Sequence, residues 1–221
     1  MLNPQVLQLL WQATLETLYM VGNSTLFGCL LGIPVGVLLV ITGPGHILPN
    51  PVIHRLSGFV VNVGRSIPFI ILMIAIIPFT RMIAGTSIGT TAAIVPLTVA
   101  AIPYVARLVE SALSEIDPGV IEAAQSMGAS PLQIIFKVLL PESLPTLVLG
   151  VTITAVSLVS YSAMAGAIGG GGLGDLAIRY GYQRFRGDIM LQTVVILVVL
   201  VQLIQSIGSA LARRLDHRHP S

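Results

Sequence analysis

Charge is what this chain has least of. Asp, Glu, Lys and Arg make up 9% of its 221 residues, against roughly 25% in soluble domains. Aromatics are scarce too, at 5%. The single cysteine, Cys29, lies inside an apolar run, which excludes an intrachain disulfide and leaves the compartment unread. A formal charge of +2, with no basic patch interleaved with aromatics, excludes nucleic acid as a partner. No G-x-x-x-x-G-K-[ST] loop occurs, so ATP is not held here by that device, and no G-x-S-x-G elbow supplies a hydrolase nucleophile. The first residues, MLNPQVLQLLWQ, lack the positive segment and small-residue cleavage site of a signal peptide, so no cleaved leader is expected.

What is present is hydrocarbon. Apolar residues make up 54% of the chain and the mean hydropathy is +0.92, which places it among integral membrane proteins. A bilayer core takes about 20 apolar residues of helix. Five stretches meet that length: Leu15 to Ile41, Leu56 to Phe79, Thr90 to Leu108, Leu144 to Ile168 and Ile189 to Leu211. Backbone groups in lipid must be satisfied internally, so the expected fold is all-α, a polytopic protein with five transmembrane helices in one domain across 1–221. Gly28, Gly32 and Gly36, spaced by four, suit close helix contacts. Arg65 interrupts the second span, so it either reaches a headgroup region or faces a protein interior. There it could pair with Glu110 or Glu115, or line an inner vestibule.

Five spans put the termini on opposite sides. Arg213, Arg214 and Arg218 near the C-terminus favour the cytoplasm for that end and the outside for the N-terminus. The loops around 42–57 and 109–143 are then cytoplasmic, and those around 80–89 and 169–188 external. Lys and Arg fall seven inside (55, 65, 107, 137, 213, 214, 218) and four outside (81, 179, 184, 186).

The loop over 117–141 has more order than a connector needs. Asp117-Pro118 is a helix start, since Asp caps free N–H groups and Pro suits the first helical position. Glu122 follows in the first two turns and Gly128 stops the helix. Ser130-Pro131 repeats the start signal, with Leu132, Ile135, Phe136 and Leu139 expected on one face. Leu140-Pro141 is expected to end this second piece, because the residue before proline is pushed out of the helical region. The first helix is dominated by small residues, which lie poorly on a membrane surface but fit a shallow groove on another protein. Lys137 is the only basic residue between Leu108 and Pro141, so anionic lipid attracts this loop weakly. A docking knob for a cytoplasmic partner is the better reading.

Glu122-Ala123-Ala124, then Gly128, then Leu140-Pro141 resembles the EAA signature of ATP-binding-cassette importer permeases, at that family's spacing. Val138 stands where the family usually has isoleucine. The resemblance extends over nearly the whole chain: GRSIPF (64–69), GTSIGTTAAIVPLT (85–98) and YSAMAGAIGGGGLGDLAIRYGYQRF (161–185) look like the permeases of methionine importers. It implies a type I importer permease fold, with 117–141 as the coupling helix that enters a cleft of an ATPase subunit. The implied assembly is two copies of this chain with two ATPase subunits, fed by an external methionine-binding lipoprotein in the bacterial inner membrane. ATP and Mg would sit on the ATPase, with no cofactor on this chain. Methionine itself follows from the resemblance alone, not from composition or spacing.

Gly169, Gly171 and Gly174 satisfy G-x-G-x-x-G, but a dinucleotide site needs a preceding strand. After a membrane helix the motif reads as a flexible external turn or a backbone-lined constriction. His217 and His219 form a weak metal pair on a tail, and His46 and His54 have no acid or cysteine around them. Glu16, at the outer end of the first span, reads as solvated or helix-capping ahead of a proton relay. For the translocation path, the polar and sulfur-bearing residues within spans are the candidates: Asn62, Met73, Ser157, Ser160, Tyr161, Ser162 and Met164. Each is individually more consistent with helix–helix packing. Arg179, Arg184 and Arg186 are candidates to receive the binding protein. Three alternatives stay open. One is the same architecture for another small amino acid or related solute. Another is an ion-coupled secondary transporter, which would bring repeats and midplane acids. The last is an assembly subunit that transports nothing.

Overall fold

The computed structural model describes residues 4–216, so His217, Arg218 and His219 lie outside the described residues. All regular structure among these residues is helical. Four helices are long and apolar enough to cross a membrane: α1 (Pro4–Ile41), α5 (Thr90–Ser114), the run Pro131–Ala167 and α10 (Gly187–Leu215). A bent pair, α2 (Pro51–Ser66) and α3 (Phe69–Ala75), makes a fifth when counted as one broken span. A further helix, α4 (Ile77–Ala84), follows it.

The expected straight span Leu56 to Phe79 is therefore corrected: the chain turns by 102° between α2 and α3. Pro68 is the cause. It drives Ile67 into extended geometry, φ −85° and ψ 121°, and it supplies no N–H to continue the helix. A second break at Ile76 precedes Pro78. Pro96 and Pro103, by contrast, sit inside an unbroken α5. The first span also starts well before the expected Leu15, at Pro4.

The bundle is organised on the α1–α5 pair. Gly28, Gly32 and Gly36 are all buried on α1. A Cβ at Gly28 would lie 2.7 Å from Ala101 Cβ, at Gly32 2.8 Å from the Ile102 carbonyl oxygen, and at Gly36 2.5 Å from that of Ala106. The four-residue spacing keeps the hydrogen-only positions on one face, and the two backbones touch there. One apolar cluster, with Met20, Leu97, Leu158 and Phe69, fills the part of the bundle where α3 packs. A second, with Val37, Val109, Leu113, Ile134 and Leu139, continues the core into the loop after α5.

Candidate functional site

That continuation makes the 117–141 segment a folded part of the bundle. The Asp117 side chain accepts a hydrogen bond from the Gly119 N–H at 2.8 Å, starting α6 (Pro118–Ser126). Gly128, at φ +78°, closes it. The Ala129 N–H bonds the Ala124 carbonyl and the Gly128 N–H bonds that of Gln125, the paired bonds of a left-handed helix stop. Ser130 and Gln133 then form a reciprocal capping box over α7 (Pro131–Ile134). The Asp117, Gly128 and Ser130 signals are all used.

Leu140-Pro141 does not end the second piece. Leu140 is helical (φ −66°, ψ −45°), and α7 runs through a π turn, Ile135–Leu139, into α8 (Leu140–Ala167). The wide turn gives the reason. The Leu140 N–H reaches back to the Ile135 carbonyl, five residues away. That extra residue per turn relieves the clash a proline ring makes with the preceding turn. The part from Pro131 onward is thus continuous with a candidate membrane span, Pro131–Ala167.

The expected face is also corrected. Ile134, Ile135 and Leu139 are buried, but Leu132 and Phe136 are 66% and 65% exposed. The segment packs on the bundle through Ile134, Ile135 and Leu139, which leaves Leu132 and Phe136, four residues apart, on the outer side. Among the signature residues, Glu122, Ala123, Gly128 and Pro141 face outward, Leu140 is half-buried and Ala124 packs into the core. Val120, Met127, Leu132 and Phe136 add an exposed apolar surface around Glu122. Such a patch, rimmed by polar groups, is the form of a protein interaction site. The Leu132/Phe136 spacing is visible in the sequence, but only the packing of Ile134, Ile135 and Leu139 shows that it points away from the bundle.

The seven path candidates do not share one cavity. Ser157 and Tyr161 line a polar cleft of about 160 Å³ with Arg65, Tyr104 and Thr154. The Tyr161 ring stacks on Phe69, centroids 4.7 Å apart and planes 5° from parallel, which fixes its rim. Ser160 and Met164 lie in an apolar groove between α8 and α10. Met73 is buried at a third cavity near the α4–α5 turn. Ser162 is buried and donates to the Val159 carbonyl at 2.7 Å. Asn62 Oδ1 accepts from Arg107, whose guanidinium also holds Glu110 at 2.6 Å. Of the alternatives open to Arg65, the pair with Glu110 is not formed, because Arg107, one turn before Glu110 on α5, holds that acid; Arg65 lines a cleft instead.

Glu16 caps a helix across the fold. Its Oε2 accepts the Gly172 N–H at 2.8 Å, and the neighbouring Thr17 Oγ1 accepts the Leu173 N–H at 2.9 Å. These are free N–H groups of α9 (Gly172–Leu176), 156 residues along the chain. The glycine motif, read from sequence as a flexible turn or a backbone-lined constriction, packs closely against the bundle. Gly171 and Gly172 hold φ values of +81° and +76°, and Cβ atoms at Gly166 and Gly174 would strike the facing backbone of α9 and α8. Close packing is what those glycines serve. The arginines of the 169–188 loop are engaged within the chain: Arg179 with Asp175, Arg186 with Asp188, and Arg184 over the Tyr180 ring at 4.4 Å.

Known proteins share both the sequence and this architecture. A probable D-methionine transport system permease of Vibrio cholerae is 64% identical over 210 residues, covering 95% of this chain and 93% of its own. A methionine import system permease of Bacillus subtilis is 47% identical, over 95% of this chain and 94% of its own. The solved MetNI methionine transporter in inward-facing conformations superposes with a TM-score of 0.96 at 51% identity, covering 98% of this chain and 100% of that one. An amino acid transporter with histidines, at 20% identity and a TM-score of 0.78, shares the fold. Residues 9–219 match the family described as the inner membrane component of binding-protein-dependent transport systems. With its broken second span, its packed α1–α5 core and the folded segment between its third and fourth spans, this chain belongs to that permease family.

Proposed function

We propose that this chain forms the path by which an ATP-driven importer carries methionine across the bacterial inner membrane. The observation that carries this reading is high identity along almost the full length to permeases named for methionine, 64% in one case and 51% in a solved transporter. Relatives named for D-methionine extend it to both isomers. Two copies of the chain work with two ATPase subunits, which bind ATP and Mg, and an external methionine-binding lipoprotein delivers the solute. The N-terminus lies outside and the C-terminus in the cytoplasm.

Coupling runs through Glu122, Ala123, Ala124, Gly128, Leu140 and Pro141. ATP-driven closure of the ATPases draws the two 117–141 segments together. The rod from Pro131 to Ala167 carries that movement into the bundle without a hinge. Asn62, Met73, Ser157, Ser160, Tyr161, Ser162 and Met164 belong to the path and its supporting helices. The test is reconstitution of the complex, purified through a tag on this chain, in proteoliposomes with the binding protein. A 2:2 mass and ATP-dependent uptake of labelled methionine are expected, with Glu122→Lys inserting normally but importing nothing. A folded assembly that lacks the ATPase, or uptake indifferent to ATP, overturns the reading.

A further inference from the structure

Arg65 is a cation with no partner in the structure. It makes no hydrogen bond or ion pair among the described residues, and the nearest acid on α5, Glu110, is held by Arg107. Its side chain is exposed in the single chain and lines a cleft inside the bundle. The cleft it lines also takes Ala100 and Tyr104 from α5 and Thr154, Ser157 and Tyr161 from α8. Counting from the end of α8 at Ala167 to Tyr161, Ser157 and Thr154, and of α5 at Thr90 to Ala100 and Tyr104, places the lining about 9–21 Å in, centred near 15 Å, at 1.5 Å per residue. That is half the roughly 30 Å hydrocarbon thickness. A charged side chain so deep marks a functional site by default, because it is costly to keep there.

A second observation points to the same place. The chain breaks helical geometry at Ile67 and Pro68, two residues beyond Arg65. Non-helical backbone at membrane depth is tolerated only where protein buries it or where it lines a water-filled cavity. The broken span opens a polar cleft there.

The lining has the chemistry of an amino-acid headgroup site. Arg65 offers planar, paired N–H donors suited to a carboxylate. Ser157 Oγ spends its hydrogen on the Ile153 carbonyl at 2.9 Å, and Thr154 Oγ1 spends its own on Gly150 at 2.9 Å. Both hydroxyls are left as acceptors, suited to an ammonium. Ile67, Ala100, Ala101 and Leu158 supply apolar wall for a side chain. Charge is offered to the carboxylate by a full cation and to the ammonium only by neutral oxygens, so the anion dominates recognition.

We propose that the Arg65 cleft is a midplane site for the zwitterionic headgroup of an α-amino acid in transit, with Arg65 on its carboxylate and Ser157 and Thr154 on its ammonium. The site rests on the importer reading above. It also explains why a bundle with so little buried charge keeps this arginine: without it, a carboxylate crossing the midplane would have no counter-charge.

The test uses the intact permease–ATPase complex without the external binding protein, so that delivery does not mask the site. Saturation-transfer NMR is recorded with methionine and with methioninol, which keeps the side chain and ammonium but lacks the carboxylate. Wild-type complex is expected to give strong methionine signals and weak methioninol signals. Arg65→Gln is expected to lower methionine binding by about tenfold or more, leave methioninol unchanged, and be partly rescued by Arg65→Lys. Equal binding of the two ligands by wild type, or an equal fall for both in Arg65→Gln, overturns the site and assigns Arg65 a packing role. Proteoliposome uptake by the wild-type complex is measured alongside. Failure there counts against the importer reading, whereas normal uptake with no carboxylate preference sinks the cleft alone.

Discussion

Gly36→Ala puts one methyl group where the fold has no room. The added Cβ would lie 2.5 Å from the Ala106 carbonyl oxygen and 2.6 Å from Val109 Cβ. The first contact is with backbone, so α1 and α5 must separate to relieve it. Overpacking of this kind costs about 1–3 kcal/mol, while alanine's better helix propensity returns about 1 kcal/mol. A net loss of up to about 2 kcal/mol should lower the thermal midpoint by up to about 8 °C for a chain of this size. Gly22→Ala on the same helix is the internal control, since a Cβ there meets nothing within 4 Å. It gains the propensity term alone and should raise the midpoint slightly. Both variants are followed by the intrinsic fluorescence of purified protein on heating in one mild detergent. If Gly36→Ala is as stable as Gly22→Ala, the α1–α5 contact is not close packing and the reasoning fails.

Glu16→Ala removes the acceptor for the Gly172 N–H; loss of a charged hydrogen bond at a helix start should cost about 1.5–3 kcal/mol, and Glu16→Gln, which keeps an acceptor, should cost less. Hydrogen exchange at Gly172 and Leu173 reads this directly, and equal protection in both variants would refute the cap. Phe136→Asp changes a side chain that is 65% exposed, so its thermal midpoint should stay near wild type, with surface effects within about 0.5 kcal/mol. Co-purification of the ATPase should be lost. A variant that still carries its ATPase places the docking surface elsewhere.

The punctuation of the 117–141 segment was readable residue by residue. Asp117, Gly128 and the Ser130/Gln133 box act through hydrogen bonds to neighbours a few positions away, so local sequence carries their whole mechanism. Leu140-Pro141 misleads for a related reason. The local rule predicts a break, but whether a helix stops at a proline or widens into a π turn depends on what holds the residues either side. Here Ile135 and Leu139 are anchored in the core, and keeping that packing favours the wider turn.

By itself, the amino-acid sequence determined the solvent, the helical class, the number of crossings when the broken span is counted as one, and the glycine stripe that brings two helices together. Each depends on composition or on a spacing within one helix. Tertiary structure alone decided which residues meet across the bundle. Glu16 and Gly172 are 156 residues apart, and no periodicity links them. Arg107 rather than Arg65 holds Glu110, because two helices present competing cations and the closer geometry takes the acid. The same packing left Arg65 without an ion-pair partner among the described residues, lining a cleft. Sequence could place a charge inside a span, but only the bend at Pro68 and the faces of α5 and α8 show that it looks into a cleft.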